Sequence, residues 1–116
     1  MPPVHVTSGI TAPLFTYKHT AAAPPGSGPG GFLVGSAVVG GAFYPASGNF
    51  PAAYRNSYFF ADYPLHWVAR LDTANPGDVY GFIRNVNGSP VGLLVGIDGA
   101  LYVLKLEGSI MRVSVP

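Results

Sequence analysis

Beyond its first third, the chain alternates apolar and polar positions, and clusters of turn-forming residues interrupt the alternation at regular intervals. From His66 to Asp72, Trp67, Ala69 and Leu71 fall on one side, and His66, Val68, Arg70 and Asp72 on the other. That two-residue period is the mark of a strand. Strands are likewise expected over Ala37–Val39 and Ala42–Tyr44, with Gly40-Gly41 as a kink between them, and over Ser57–Tyr63 and Val79–Arg84. Three more are expected at Val91–Val95, Leu101–Leu106 and Ile110–Val115. Thr73–Asp78, Asn87–Pro90, Asp98-Gly99 and Glu107–Ser109 punctuate them, and Asp-Gly is a favoured pair for a tight hairpin. Pro51–Arg55 reads as a single helical turn with proline at its first position. No amphipathic helix of useful length occurs, and strands recur about every 8–12 residues, so the chain is expected to be all-β.

Residues 1–36 read differently, as an N-terminal arm. Its strand is Leu14–His19, with Phe15, Tyr17 and His19 on one face, and Pro24–Gly31 is a loop by composition. Residues 37–90 then supply four strands and residues 91–116 three, for which Leu14–His19 is a candidate fourth. Units of this size match four-stranded antiparallel β-propeller blades. About two blades are therefore expected. A propeller closes with 4–8, so the ring would be completed by further copies or by sequence outside this chain.

Composition narrows the function classes. The 116 residues include 16 glycines and 12 prolines with only 9% charged residues, which excludes a coiled coil, and 13% aromatics argue against disorder. The net charge is +1, and six basic residues spread along the chain make no phosphate-tracking stripe, so nucleic acid is not an expected partner. No apolar run reaches the length of a membrane-spanning helix. The start, Met1-Pro2-Pro3-Val4-His5, lacks the basic and apolar regions of a secretory signal, so the chain is expected either to stay in the cytoplasm or to have lost its signal. With no cysteine there is neither a disulfide framework nor a thiolate metal site.

Candidate chemistry is sparse. Gly26–Gly31 formally spells GxGxxG, but prolines precede it and an apolar segment follows, so a loop is the better reading. His5, His19 and His66 have no metal-ligand spacing, and no metal site is expected. His66 is the candidate for a catalytic role because Asp62, Tyr63 and Trp67 surround it. Asp62, Tyr63, His66, Trp67 and Arg70 together are the candidate ligand-binding set. An aromatic face stacks on pyranose C–H groups while Asp and Arg bind hydroxyls, which points to a carbohydrate. The competing structural reading has Trp67 packing in an interface and Asp62 capping a turn. Asp98-Gly99 is read as a turn before a calcium site, and Asn87-Gly88-Ser89, followed by Pro90, as a turn before a glycosylation sequon. No GxSxG, cysteine nucleophile or paired carboxylates are present.

Taken in order, Gly40–Tyr44, Phe50–Arg55, Tyr58–Tyr63, Pro90-Val91, Asp98–Leu104 and Gly108–Val113 resemble the closing part of the glucose/sorbosone dehydrogenase family. The resemblance covers nearly the whole chain. It implies a six-bladed propeller, a secreted or periplasmic location and, in complete enzymes, sugar oxidation with pyrroloquinoline quinone and calcium. The dehydrogenases carry an arginine- and aspartate-bearing strand before the Asp-Gly hairpin, whereas Val91–Val95 here holds no charge. What carries over is scaffold. The expected function is thus a non-catalytic propeller module that binds carbohydrate or self-assembles, with no cofactor. A fragment or minimal form of a quinone-dependent sugar dehydrogenase is the alternative, and quinone and calcium enter only with it. The expected partner is the chain itself, a homotrimer first, or a filament if the interface fails to close.

Overall fold

β-branched and aromatic side chains at every second position suit a pleated surface with both faces in use, and the structure builds seven such strands. It is a computed structural model that describes residue 9 and residues 11–16, 35–75 and 78–115. The strands are β1 (Val38–Tyr44), β2 (Ser57–Asp62), β3 (Trp67–Asp72), β4 (Val79–Ile83), β5 (Pro90–Val95), β6 (Leu101–Lys105) and β7 (Ile110–Val113). One turn of 3-10 helix, Ala52–Tyr54, follows Pro51. The all-β expectation holds. Among the described residues no helix is long and apolar enough to cross a membrane.

The strands form two antiparallel meanders, one of order β1-β2-β3-β4 and one of order β5-β6-β7. In place of the expected pair of four-stranded units stand a sheet of four strands and a sheet of three, with no closed ring among the described residues. Of the proposed arm strand, Leu14–Thr16 are described and belong to no strand, while residues 17–19 lie outside the described residues, as do His5 and the 24–31 loop.

Register decides what each face buries. Across β2 and β3, Phe60 pairs with Ala69 and Asp62 with Trp67 on the outer face, whereas Ala61 pairs with Val68 and Phe59 with Arg70 on the inner face. The inner face meets the second sheet. Tyr44, Phe50, Phe59, Ala61, Val68 and Val86 form one core with Leu93, Leu101 and Val103. The outer face carries a second cluster of Phe60, Trp67, Ala69, Leu71 and Val79, onto which Phe15 packs. Because both faces of β3 are buried, its clean alternation marks two cores and not a core and a solvent face.

The Gly40-Gly41 kink is a bulge. Between Val39 and Ala42, β1 spends one residue more than β2 does between Ala61 and Phe59. A Cβ on Gly41 would stand 2.2 Å from the Phe59 carbonyl oxygen and 2.8 Å from the Tyr58 hydroxyl, so only glycine fits. The extra residue keeps Val39, Ala42 and Tyr44 all on the core side.

One hydroxyl ties the sheets together. Tyr44 is fully buried at the end of β1, stacked on Phe50 with ring centroids 4.4 Å apart. Its Oη donates to the Gly99 carbonyl at 2.7 Å and accepts from the Phe50 N–H at 3.0 Å. Asn49 Nδ2 adds a bond to the Asp98 carbonyl. Tyr44→Phe strands the buried Phe50 N–H and the partly buried Gly99 carbonyl, at a cost of about 1–3 kcal/mol. Urea unfolding of the variant is expected to show that loss at an unchanged m-value.

Candidate functional site

The five residues singled out for ligand binding sit around the β2–β3 hairpin, and the hairpin divides them. Asp62 ends β2 and is fully buried. Its Oδ2 accepts the N–H groups of Ser36 at 2.8 Å and Ala37 at 3.1 Å, and its Oδ1 that of Leu65 at 3.3 Å. A buried carboxylate holding three amide donors is a structural clamp. It fastens the lead-in to β1 onto the 63–66 turn. Trp67, opposite Asp62, is only 3% exposed and meets Phe60 edge to face at 5.8 Å. No face of its indole is open enough to serve as a stacking platform.

Tyr63 and His66 are half-buried in the turn. His66 takes the left-handed backbone conformation, φ 66°, that closes the hairpin. Its N–H donates to the Asp62 carbonyl and its carbonyl accepts from Val86 N–H. Arg70 lies on the opposite face of the sheet. Its guanidinium is stacked between Tyr54 and Tyr80, 5.0 Å and 4.4 Å from the ring centroids, with a long contact to Ser57 Oγ at 3.5 Å. Strand periodicity thus separates Arg70 from Asp62 and Trp67, and the set does not converge on one surface. The aromatic-arginine stack was not legible as such, because the sequence carries no mark that Tyr54, Arg70 and Tyr80 meet.

A second polar cluster lies at the 97–100 hairpin. Asp98 Oδ2 accepts from Tyr102 Oη at 2.7 Å and from Arg112 at 3.0 and 3.1 Å, and its Oδ1 accepts the Ala100 N–H. Gly99, at φ 78°, turns the chain. The tyrosine hydroxyl, then the Ala100 amide and then Arg112, hold the Asp98 carboxyl down to about 2, while the Tyr102 hydroxyl and then Asp98 itself raise Arg112. The turn reading of Asp98 describes this geometry. The calcium of the sugar-oxidising alternative does not fit here: both oxygens are engaged and a guanidinium stands where the cation would bind. Among the described residues no group of three His, Asp or Glu side chains could hold a metal. For the quinone, the strand β5 presents no charged side chain.

Concave surface lies elsewhere. A groove of about 660 Å³ runs between Leu14–Thr16 and the outer face of the first sheet, lined by Val38, Tyr58, Phe60 and Leu71. A smaller one of about 210 Å³ opens at the rim of the inter-sheet core, between Phe50, Tyr54 and Phe82 on one side and Val113–Val115 on the other. Neither is lined by a charged residue. Comparison with protein-family models, with curated proteins and with solved structures returns no match to this chain.

The Asp98 cluster makes a pH prediction. A carboxyl lowered on folding adds stability above its ordinary value of 3.8, and that stability is lost as pH falls toward about 2. Asp98→Asn is expected to flatten the thermal-midpoint profile across that window while leaving the neutral-pH spectrum of the fold unchanged. Circular dichroism melts at a series of pH values check it.

Proposed function

We propose that the chain is a non-catalytic, self-assembling module: a pair of propeller-like blades that covers its open faces with further copies of itself. The observation that carries this reading is the outer face of the second sheet. There Val91, Leu94, Leu104 and Ile110 are exposed, with Leu104 and Ile110 directly paired across β6 and β7. At the opposite side of the molecule, the outer face of the first sheet carries the uncharged 660 Å³ groove beside Val38 and Tyr58. The second-sheet face also carries the Tyr102–Arg112–Asp98 cluster, in which the charge of Arg112 is paired with that of Asp98. A protein with large exposed apolar side chains at both ends gains by stacking end to end, since each contact removes apolar area from water. The inter-sheet core already supplies the pattern, one sheet face laid on the next.

Two ends of unlike shape make a heterologous contact, which yields a ring if the rotation closes and a filament if it does not. Two sheets per chain make a trimer the first closed form expected, with six blades. Of the two forms of the module, sugar binder and assembly unit, the geometry favours assembly, because the buried Asp62 and Trp67 leave the sugar platform without its exposed groups.

Sedimentation or light scattering at micromolar concentration is expected to give about three times the 12.1 kDa chain mass. Leu94→Lys, which adds an unpaired positive charge to the face that already holds the paired Arg112, is expected to reduce it to the monomer with an unchanged strand spectrum. A wild-type chain that stays a monomer under these conditions overturns the proposal.

A further inference from the structure

The second sheet is one strand short of the first, and its last strand, β7, has a neighbour on one side alone among the described residues. The register shows which groups point to the open side. Lys105 N–H donates to the Ser109 carbonyl, and Leu104 pairs with Ile110, Val103 with Met111 and Tyr102 with Arg112. Antiparallel pairs alternate between hydrogen-bonded and non-hydrogen-bonded. Met111 and Val113 therefore spend their backbone groups on β6, while Ile110, Arg112 and Ser114 turn theirs outward.

The 210 Å³ groove adjoins this edge. On the first sheet's side stand Phe50, Tyr54 and Phe82, whose rings meet at 5.6–6.3 Å. On the other side are Val113 and Val115, which pack against the inter-sheet core. The groove continues that core outward, to the place where the first sheet still has a strand and the second does not. Its lining is aromatic and aliphatic, without charge.

We propose that the β7 edge and this groove form a strand-acceptor site for an extended peptide with aromatic or aliphatic residues at alternate positions. The peptide pairs antiparallel with the outward groups of residues 110, 112 and 114. It sets one alternate side chain between Phe82 and Val113. Backbone pairing supplies the affinity and the groove supplies the selection, as in other strand-addition recognition. This site differs from the faces used for assembly: it is an edge, and it requires no second copy.

The test uses a labelled synthetic peptide with the sequence of residues 13–19, whose Phe15 and Tyr17 alternate as the groove demands, and the full chain carrying Leu94→Lys. That background blocks the face-to-face contact, so failure of the assembly reading and failure of this one are read separately. Saturable anisotropy binding is expected, with hydrogen exchange at Ile110, Arg112 and Ser114 slowed about tenfold or more. Phe82→Ala is expected to weaken binding about tenfold, the loss of a buried aromatic contact. A peptide N-methylated at alternate residues leaves the protein intact and is expected not to bind. Absence of binding, equal binding of the methylated peptide, or exchange protection away from β7 each overturns the proposal.

Discussion

The structure hangs on the contact between Tyr44 and the 97–100 hairpin. A tyrosine with no exposed surface must find partners for its hydroxyl, and it finds them on both sheets at once: Gly99 carbonyl on the second, Phe50 N–H in the segment that leaves the first. Hydrophobic burial pulls the sheets together but is indifferent to how one slides over the other. The hydroxyl removes that freedom. Asn49 and the stacked Phe50 then hold the same corner from its exposed and buried sides.

From that corner the aromatic residues spread along the core. Phe59 meets Tyr44 and Phe50 edge on, and Phe82 joins them at 4.9 Å from Phe59. Farther out, Arg70 lies between Tyr54 and Tyr80, whose ring faces hold its charge, with Asp72 acting on it only as the smallest of that carboxylate's own interactions. Such stacking suits a chain with few acids to offer as partners. At the rim of that core the rings of Phe50, Tyr54 and Phe82 stand across a gap from Val113 and Val115. That gap is the inter-sheet groove at β7.

Much of this was legible in the chain. The seven strands fall where alternation and turn residues place them, because period-two patterning and Gly, Pro, Asn and Asp chemistry are local properties. Gly40-Gly41 announced a break in β1, and the bulge is that break. The candidate ligand set fared differently. Asp62, Tyr63, His66, Trp67 and Arg70 are close in sequence, and closeness in sequence does not choose a side of a sheet. Asp62 and Trp67 face one core, Arg70 faces the other, and the grooves are lined by residues from distant segments, such as Phe50 with Val113.

The sequence by itself determined that the chain is all-β, where its strands and turns lie, and that it holds no cysteine for a thiolate metal site. Each of these follows from composition or from neighbours a few positions apart. Only the tertiary structure decided that Asp62 is a clamp, that Trp67 is core, that Tyr44 fastens two sheets, and that among the described residues the second sheet has three strands. These depend on contacts such as Tyr44 to Gly99, 55 residues apart, and a pairing of that range is chosen by the packing of the whole chain, which no local pattern encodes.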